Sequence, residues 1–229
     1  MLLEICANSY QSVLNAQKAG AHRIELCSEL SIGGITPSYG LLKLVVDSFA
    51  IPVFVLIRPR GGNFNYSNEE FEIMKQDIQL CKSLGCNGIV SGVLTEDNII
   101  DIKRTQELVE LSKPLKFTFH RAFDCVKNPN KALEQLINLG VDRVLTSGQA
   151  TSAEQGLFLL KELNKISNGR ITILAGGGIS AKNVINFKDA GFNEIHASAS
   201  SKLESDNSLF SESLTYSDPE KIKAILDAI

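Results

Sequence analysis

The sequence predicts a single (β/α)₈ barrel over residues 1–229, and three observations favour this fold class. The chain has 229 residues, of which 44% are hydrophobic and 21% charged, as in an ordinary folded domain. A glycine followed four residues later by isoleucine or valine recurs four times. Four further apolar runs lie between these copies, so strand-like and helix-like segments alternate along the chain. Barrels of this class commonly reach this length as one domain, and no linker-like segment divides the sequence.

The repeated glycine marks the passage from a helix to the next strand. A glycine just past a helix readily adopts the left-handed conformation that caps it, and a strand begins a few residues later. The copies begin at Gly20, Gly85, Gly140 and Gly191. Their spacing of roughly 50 to 65 residues fits two strand-helix units per repeat, so four repeats predict eight strands. A doubly wound open sheet shares the alternation but gives no reason for a fourfold repeat.

The individual elements follow in order from the apolar runs and the helix-start signals. Thr36 is expected to cap the second helix, because a proline follows it. Ser67 and Glu70 form a capping box, and Asp218 followed by Pro219 opens the last helix. The predicted strands cover residues 2–7, 24–27, 52–57, 89–92, 116–119, 144–147, 171–175 and 195–198.

Strand side chains alternate between two faces, so each strand separates into an outward and an inward set. The outward set is apolar and is expected to pack under the helices. Active sites of these barrels lie at the carboxyl ends of the strands, so polar inward residues there predict a working site. A structural network of ion pairs is the alternative interpretation. The inward polar set comprises Glu4, Cys6, Asn8, Glu25, Cys27, Arg58, Arg60, Thr118, His120, Ser147, His196 and Ser198.

Charged and imidazole groups in this set are candidates for acid-base chemistry. Glu4 and Glu25 are adjacent carboxylates, whose mutual repulsion raises one pKa unless Arg58 or Arg60 offsets it. The histidines at positions 120 and 196 end strands on the inward side, where an imidazole can act as acid, base or ligand. The third histidine, at position 22, lies in a helix-to-strand turn and is expected at the surface.

Cys6 and Cys27 lie at similar depths on consecutive strands, so their sulfurs are expected to converge. Two thiolates suit a soft ion such as Cu(I) or Zn²⁺. Packing as small hydrophobic residues is the alternative, since no C-x-x-C spacing is present. The cysteines at positions 81, 86 and 125 fall on helical or loop patterns and are interpreted as structural.

Two loops are candidates for binding an anion. Gly176, Gly177 and Gly178 follow the seventh strand and lead towards a helix, and Ser198 ends the eighth strand. Barrels of this class commonly bind phosphate in these two loops, through backbone N–H groups and a helix N-terminus. A tight turn is the alternative reason for the glycines. Residues 60–63 and the serine-rich residues 200–217 are further loops that could act as lids.

Overall charge and apolar content limit the classes of partner. The formal net charge of -3 provides no basic field for nucleic acid. No segment approaches 18 consecutive apolar residues, so no membrane partner is expected. The odd number of cysteines and the absence of a leader-like pattern suit a cytoplasmic protein in a reducing compartment. Barrels often associate, so a homodimer is a reasonable expectation.

Five stretches, spread over nearly the whole chain, resemble one protein family. They are residues 23–27 (RIELC), 33–38 (GGITPS), 57–62 (IRPRGG), 119–124 (FHRAFD) and 145–148 (LTSG). Together they resemble the CutC family of copper homeostasis proteins. The resemblance implies a TIM-like barrel, a cytoplasmic location and a role in handling copper, with Cys6 and Cys27 at the positions of two cysteines suggested as Cu(I) ligands. Asp124 in the fourth stretch joins the candidate catalytic residues, while Asn63 replaces the aspartate that relatives typically carry.

Three functional hypotheses remain open on the sequence. The first is a cytoplasmic copper homeostasis protein that binds Cu(I) at the barrel mouth. The second is an enzyme that acts on a small anionic or phosphorylated substrate by acid-base chemistry. The third is a barrel that serves as an assembly or regulatory partner, which explains the charges at the functional end least well.

Overall fold

The computed structural model describes residues 1–203 and 214–229 and contains a closed barrel of eight parallel strands in sequential order. The strands are β1 Leu2–Ala7, β2 Arg23–Leu26, β3 Val53–Leu56, β4 Gly88–Ser91, β5 Lys116–Phe119, β6 Arg143–Thr146, β7 Thr172–Gly176 and β8 Glu194–Ala197. β9 (Ser200–Lys202) and β10 (Thr215–Ser217) form a separate antiparallel pair. This architecture confirms the predicted (β/α)₈ class. The middle of the predicted serine-rich lid, residues 204–213, lies outside the described residues.

Helices follow the strands and surround the barrel. They are α1 Tyr10–Ala19, α2 Tyr39–Ser48, α3 Asn68–Leu84, α4 Ile102–Ser112, α5 Pro129–Asn138, α6 Leu157–Ser167, α7 Val184–Asp189 and α8 Pro219–Asp227. Short 3₁₀ helices cover Leu30–Ile32 and Arg121–Cys125. Among the described helices, none combines the length and the apolar content that crossing a membrane requires.

The helix ends explain how the chain turns from one layer to the other. Gly20 ends α1 with a φ of 90°, and its N–H donates to the carbonyls of Ala16 and Gln17. The equivalent glycines of the other three repeats also have positive φ, which confirms the predicted caps. Ser67 forms the predicted capping box at the start of α3, and the side chain of Asp218 caps α8.

The predicted cap at Thr36 is wrong, and the reason matters for the site. Ser38 caps α2 instead, because its hydroxyl accepts the N–H of Leu41. The Thr36 hydroxyl accepts the backbone N–H of Arg58 at 2.9 Å, and the N–H of Thr36 donates to the Arg58 carbonyl at 2.9 Å. The loop after β2 is thereby fastened to the end of β3, which fixes the backbone that carries Arg58.

Two apolar cores result from the alternation of strand side chains. The large core lies between the strands and the helices and includes the outward residues Leu3, Ile24 and Phe117, as predicted. A smaller cluster packs separately and consists of Cys6, Cys27, Phe54, Leu56 and Val90. Its members are apolar inward residues of β1, β3 and β4 together with Cys27, which follows β2, so side chains fill this part of the barrel interior.

Candidate functional site

A cavity of about 410 Å³ opens where the carboxyl ends of the strands meet. It has the size of a small-molecule site. Four of the predicted site residues do not line it, namely Glu4, Cys27, Arg60 and Gly176. The predicted residues that do line it are Cys6, Glu25, Arg58, His120, Asp124, Gly177, Gly178, His196 and Ser198.

The two predicted thiols meet at the wall formed by β1 and β2. The sulfurs of Cys6 and Cys27 are 3.5 Å apart, and both side chains are free thiols. Cys27 is fully buried, whereas Cys6 lines the cavity. The hydrogen bond with Cys27 and burial raise the pKa of the Cys6 thiol, while a hydrogen bond with His196 opposes the shift. Cys6 is therefore protonated without a ligand, and the pair is reached from the cavity through Cys6.

A buried ion-pair network lies beneath the thiols. Glu4 accepts hydrogen bonds from the Nε of Arg23 and, at 2.8 Å, from the Nδ1 of His196. Arg23 also contacts Glu194 at 2.6 Å, which in turn pairs with Arg143 at 3.0 Å. Burial alone raises the pKa of Glu4, but His196 and Arg23 outweigh it and lower that pKa to about 2.

The expectation that Arg58 or Arg60 neutralises the glutamates is wrong. Arg23 has that role, because the register of β1 and β2 places it directly beside Glu4. Arg23 precedes Glu25 by two residues and so shares its inward side, a signal that the sequence contains.

Glu25 and His196 form the titratable part of the cavity. The Oε2 of Glu25 lies 3.6 Å from the Nδ1 of His196 and has no hydrogen-bond partner among the described residues. Burial raises the pKa of Glu25 to about 7, although the charge of the nearby His196 acts to lower it. Burial lowers the pKa of His196, but its contacts with Cys6, Glu4 and Glu25 raise it well above the usual value. Ligand atoms of Glu4, Glu25 and His196 lie within 4.8 Å of one another, so these groups form a second possible donor set.

His120 sits across the barrel, after β5, in a different electrostatic environment. Its Nδ1 accepts the backbone N–H of Ala122 at 3.2 Å, and within the described chain its Nε2 has no partner. Burial and the nearby charge of Arg58 lower the pKa of His120 to about 3. The ring is therefore neutral at physiological pH and acts as an N–H donor through Nε2 rather than as a base.

The two predicted arginines have separate positions. Arg58 is buried and donates to the carbonyls of Ile32, Gly34 and Gly62 at 2.7 to 2.9 Å. Arg60 instead pairs with Glu70 at 2.6 Å outside the cavity. β3 ends at Leu56, so strand alternation no longer determines the direction of a side chain four residues later.

Asp124 organises the loops at the rim of the cavity. Its carboxylate accepts the backbone N–H groups of Ser147 and Gln149, at 3.1 and 3.2 Å, and the Nε of Arg121 at 2.7 Å. These bonds occupy the carboxylate and tie the 3₁₀ helix at Arg121–Cys125 to the loop after β6. Cys125 beside it is exposed and lines the cavity, so a third thiol stands at the entrance.

The predicted anion loops reach the cavity without the expected helix. Gly177 and Gly178 have positive φ values of 112° and 76°, and they line the cavity with Ser198. α7 begins only at Val184 and has six residues, while β8 is followed by β9 rather than by a helix. A Cβ at Gly176 would approach the Cδ1 of Leu145 to 2.6 Å and the Cβ of His196 to 3.1 Å, so a larger residue there requires a neighbouring side chain to move. The helix N-terminus expected to help bind a phosphate is therefore not part of this site.

Comparison with known proteins places the chain in a family. Residues 1–201 match the CutC family. A human protein named copper homeostasis protein cutC homolog is 51% identical over 205 residues, which cover 89% of this chain and 75% of the relative. A CutC family protein of Photorhabdus laumondii is 51% identical over 86% of this chain and 79% of its own length. The crystal structure of a CutC protein from Streptococcus agalactiae superposes with a TM-score of 0.81 at 35% identity, covering 86% of this chain and 98% of that one. The chain therefore belongs to the CutC family.

Proposed function

We propose that this chain serves in copper homeostasis in the cytoplasm and binds Cu(I) as its cargo between Cys6 and Cys27. The observation that carries the proposal is the thiol pair, with two sulfurs 3.5 Å apart beside an open cavity. The family and the names of its relatives agree with this role. Free cysteines throughout the chain suit a reducing compartment.

The donor set fits the ion. The sulfurs are 3.5 Å apart, so both can contact one soft ion after the two side chains separate further. Soft thiolates favour Cu(I) over the hard ions that prefer carboxylates such as Glu4 and Glu25. Two thiolates with one Cu(I) carry a single negative charge, and the imidazolium of His196 next to Cys6 compensates it in this buried place.

Access distinguishes this pair from the second pair of thiols in the chain. Cys81 and Cys86 also contact each other, but both are buried at the end of α3 and neither lines the mouth cavity. Cys6 lines the cavity, and the exposed Cys125 stands at its rim. An incoming ion therefore meets the first pair and not the second.

A competition titration with a chromogenic Cu(I) chelator under anaerobic, reducing conditions tests the proposal. We expect the wild-type chain to retain one Cu(I), and the double variant Cys6→Ser, Cys27→Ser to lose it. The matched control is Cys81→Ser, Cys86→Ser, which removes an equal number of buried thiols and is expected to retain the ion. Unchanged binding in the first variant, or loss in the control alone, contradicts the proposal.

A second candidate is an enzyme that acts on a small anionic or phosphorylated substrate. The cavity of about 410 Å³ favours it, because that space far exceeds the volume of one ion. Glu25 and His196 stand side by side in it as a potential proton-transfer pair. Native mass spectrometry of anaerobically purified protein separates the two functions: a retained organic ligand supports the enzyme, and retained copper alone supports the cargo role.

A further inference from the structure

We propose that the wall of the mouth cavity formed by Arg58 and His120 binds the carboxylate group of a small monoanionic molecule. This site is separate from the thiol pair. His120 follows β5, which lies four strands from β1 in the closed barrel, so it faces Cys6 from the opposite side of the mouth. The inference goes beyond copper binding and does not depend on it.

Arg58 is a buried cation that has no carboxylate partner among the described residues. Its side chain lines the cavity at 5% exposure, and its Nη atoms donate to three backbone carbonyls of the described residues. Within the described residues no carboxylate lies within 4.0 Å of its guanidinium, whereas the buried Arg23 has two carboxylate partners. The nearby Tyr66 hydroxyl is neutral, since burial raises its pKa to about 12. Buried charges are normally paired, so the environment of Arg58 lacks an anion.

His120 supplies a donor whose orientation is fixed by the backbone. The N–H of Ala122 donates to Nδ1, so Nδ1 carries the lone pair and the proton of the neutral ring is on Nε2. An imidazolium could not accept that bond. Nε2 is buried and has no acceptor in the described part of the chain, in a ring that is 4% exposed and lines the cavity. A ligand oxygen that accepts from Nε2 would therefore satisfy a buried donor that has no acceptor among the described residues.

Phe64 contacts both Arg58 and His120, and Gly92 leaves space for the His120 ring. Phe64 lies 5.1 Å from the Arg58 guanidinium carbon and 4.9 Å from the His120 ring, both measured to its centroid. A Cβ on Gly92 would approach the His120 ring to 2.8 Å, so only glycine leaves the ring its present position. A cation and a donor that are positioned before the ligand arrives are the features of a preorganised binding site.

The charge balance selects a monoanion. Arg121, the other arginine on the cavity wall, is paired with Asp124 at 2.7 Å. One positive charge, that of Arg58, therefore remains to be matched on this side. A carboxylate matches it with one negative charge and offers one oxygen to each donor. A phosphate dianion would leave a second charge uncompensated in a largely buried wall.

Histidine ¹⁵N NMR on reduced, metal-free protein tests the site, with acetate, pyruvate and inorganic phosphate as probes. We expect the His120 Nε2–H resonance to shift in a saturable way with acetate and pyruvate and to remain in place with phosphate, which is added at a pH well above its second pKa so that it is present as the dianion. His120→Phe is expected to weaken carboxylate binding by about tenfold or more, while His120→Gln, which keeps an N–H donor, restores part of it.

Other outcomes have defined meanings. A proton on Nδ1, or an unchanged Nε2–H signal at high carboxylate concentration, overturns the proposal on the wild-type protein alone, whether or not a variant folds. A phosphate shift equal to that of acetate overturns the choice of a monoanion. The same titration in the Cys6→Ser, Cys27→Ser variant is expected to give the wild-type result, so loss of copper binding and loss of carboxylate binding are distinguished.

Discussion

Replacing Glu25 by glutamine should change the pH dependence of stability in a defined direction. Burial raises the pKa of Glu25 from 4.5 to about 7. In the unfolded chain the carboxyl group ionises near pH 4.5, whereas in the folded chain it keeps its proton until about pH 7, so the folded state loses relative stability between these values. At 1.36 kcal/mol per pKa unit, the loss amounts to about 3 kcal/mol. Glutamine has no charge and avoids this loss.

Urea unfolding of the wild type and Glu25→Gln over a series of pH values measures the effect. We expect the stability of the variant relative to the wild type to rise by about 3 kcal/mol between about pH 4.5 and pH 8. Glu96→Gln is the matched control, because it makes the same substitution at an exposed position rather than a buried one. A difference between Glu25→Gln and the wild type that stays constant over this range refutes the reasoning.

Three further predictions concern burial and packing. Glu4→Gln should destabilise the fold by about 3–5 kcal/mol at neutral pH in urea unfolding, because it removes one of the two carboxylates that pair with the buried Arg23 and the carboxylate that pairs with His196; a change below about 1 kcal/mol contradicts this. Cys125 should react with a maleimide before Cys6, since it is exposed and Cys6 is buried; peptide mass spectrometry that finds Cys6 modified first opposes it. Gly92→Ala should lower the free energy of unfolding by about 1–3 kcal/mol, because it displaces the His120 ring. Gly40→Ala, at a position in α2 with open space, should raise the free energy of unfolding by up to about 1 kcal/mol. Equal effects of the two substitutions would argue against the packing described.

The barrel and the position of its site were accessible from sequence because both depend on short-range rules. The glycine caps and the alternation of side chains are local, so they identified the eight strands and placed Glu25, His120 and His196 on the inner face. The thiol contact also followed, since Cys6 and Cys27 lie on neighbouring strands.

Pairing within the barrel could not be predicted in the same way. Side-chain alternation shows that Arg23 faces inward, but the register between β1 and β2 decides that Glu4 is its partner. Arg60 lies beyond the end of β3, where a turn directs it to Glu70. The tautomer of His120 depends on the backbone N–H of Ala122 at the start of a 3₁₀ helix, a contact that no residue pattern reveals.

X-ray absorption at the copper edge tests the proposed Cu(I) site most directly. The sample is the Cu(I) complex in a Cys125→Ser background, which removes the exposed thiol at the rim. We expect two sulfur ligands at about 2.3 Å, as is usual for metal thiolates, and their loss when Cys6 and Cys27 are both changed to serine. A shell of nitrogen and oxygen ligands alone, or an unchanged sulfur shell in that variant, would contradict copper binding by this pair.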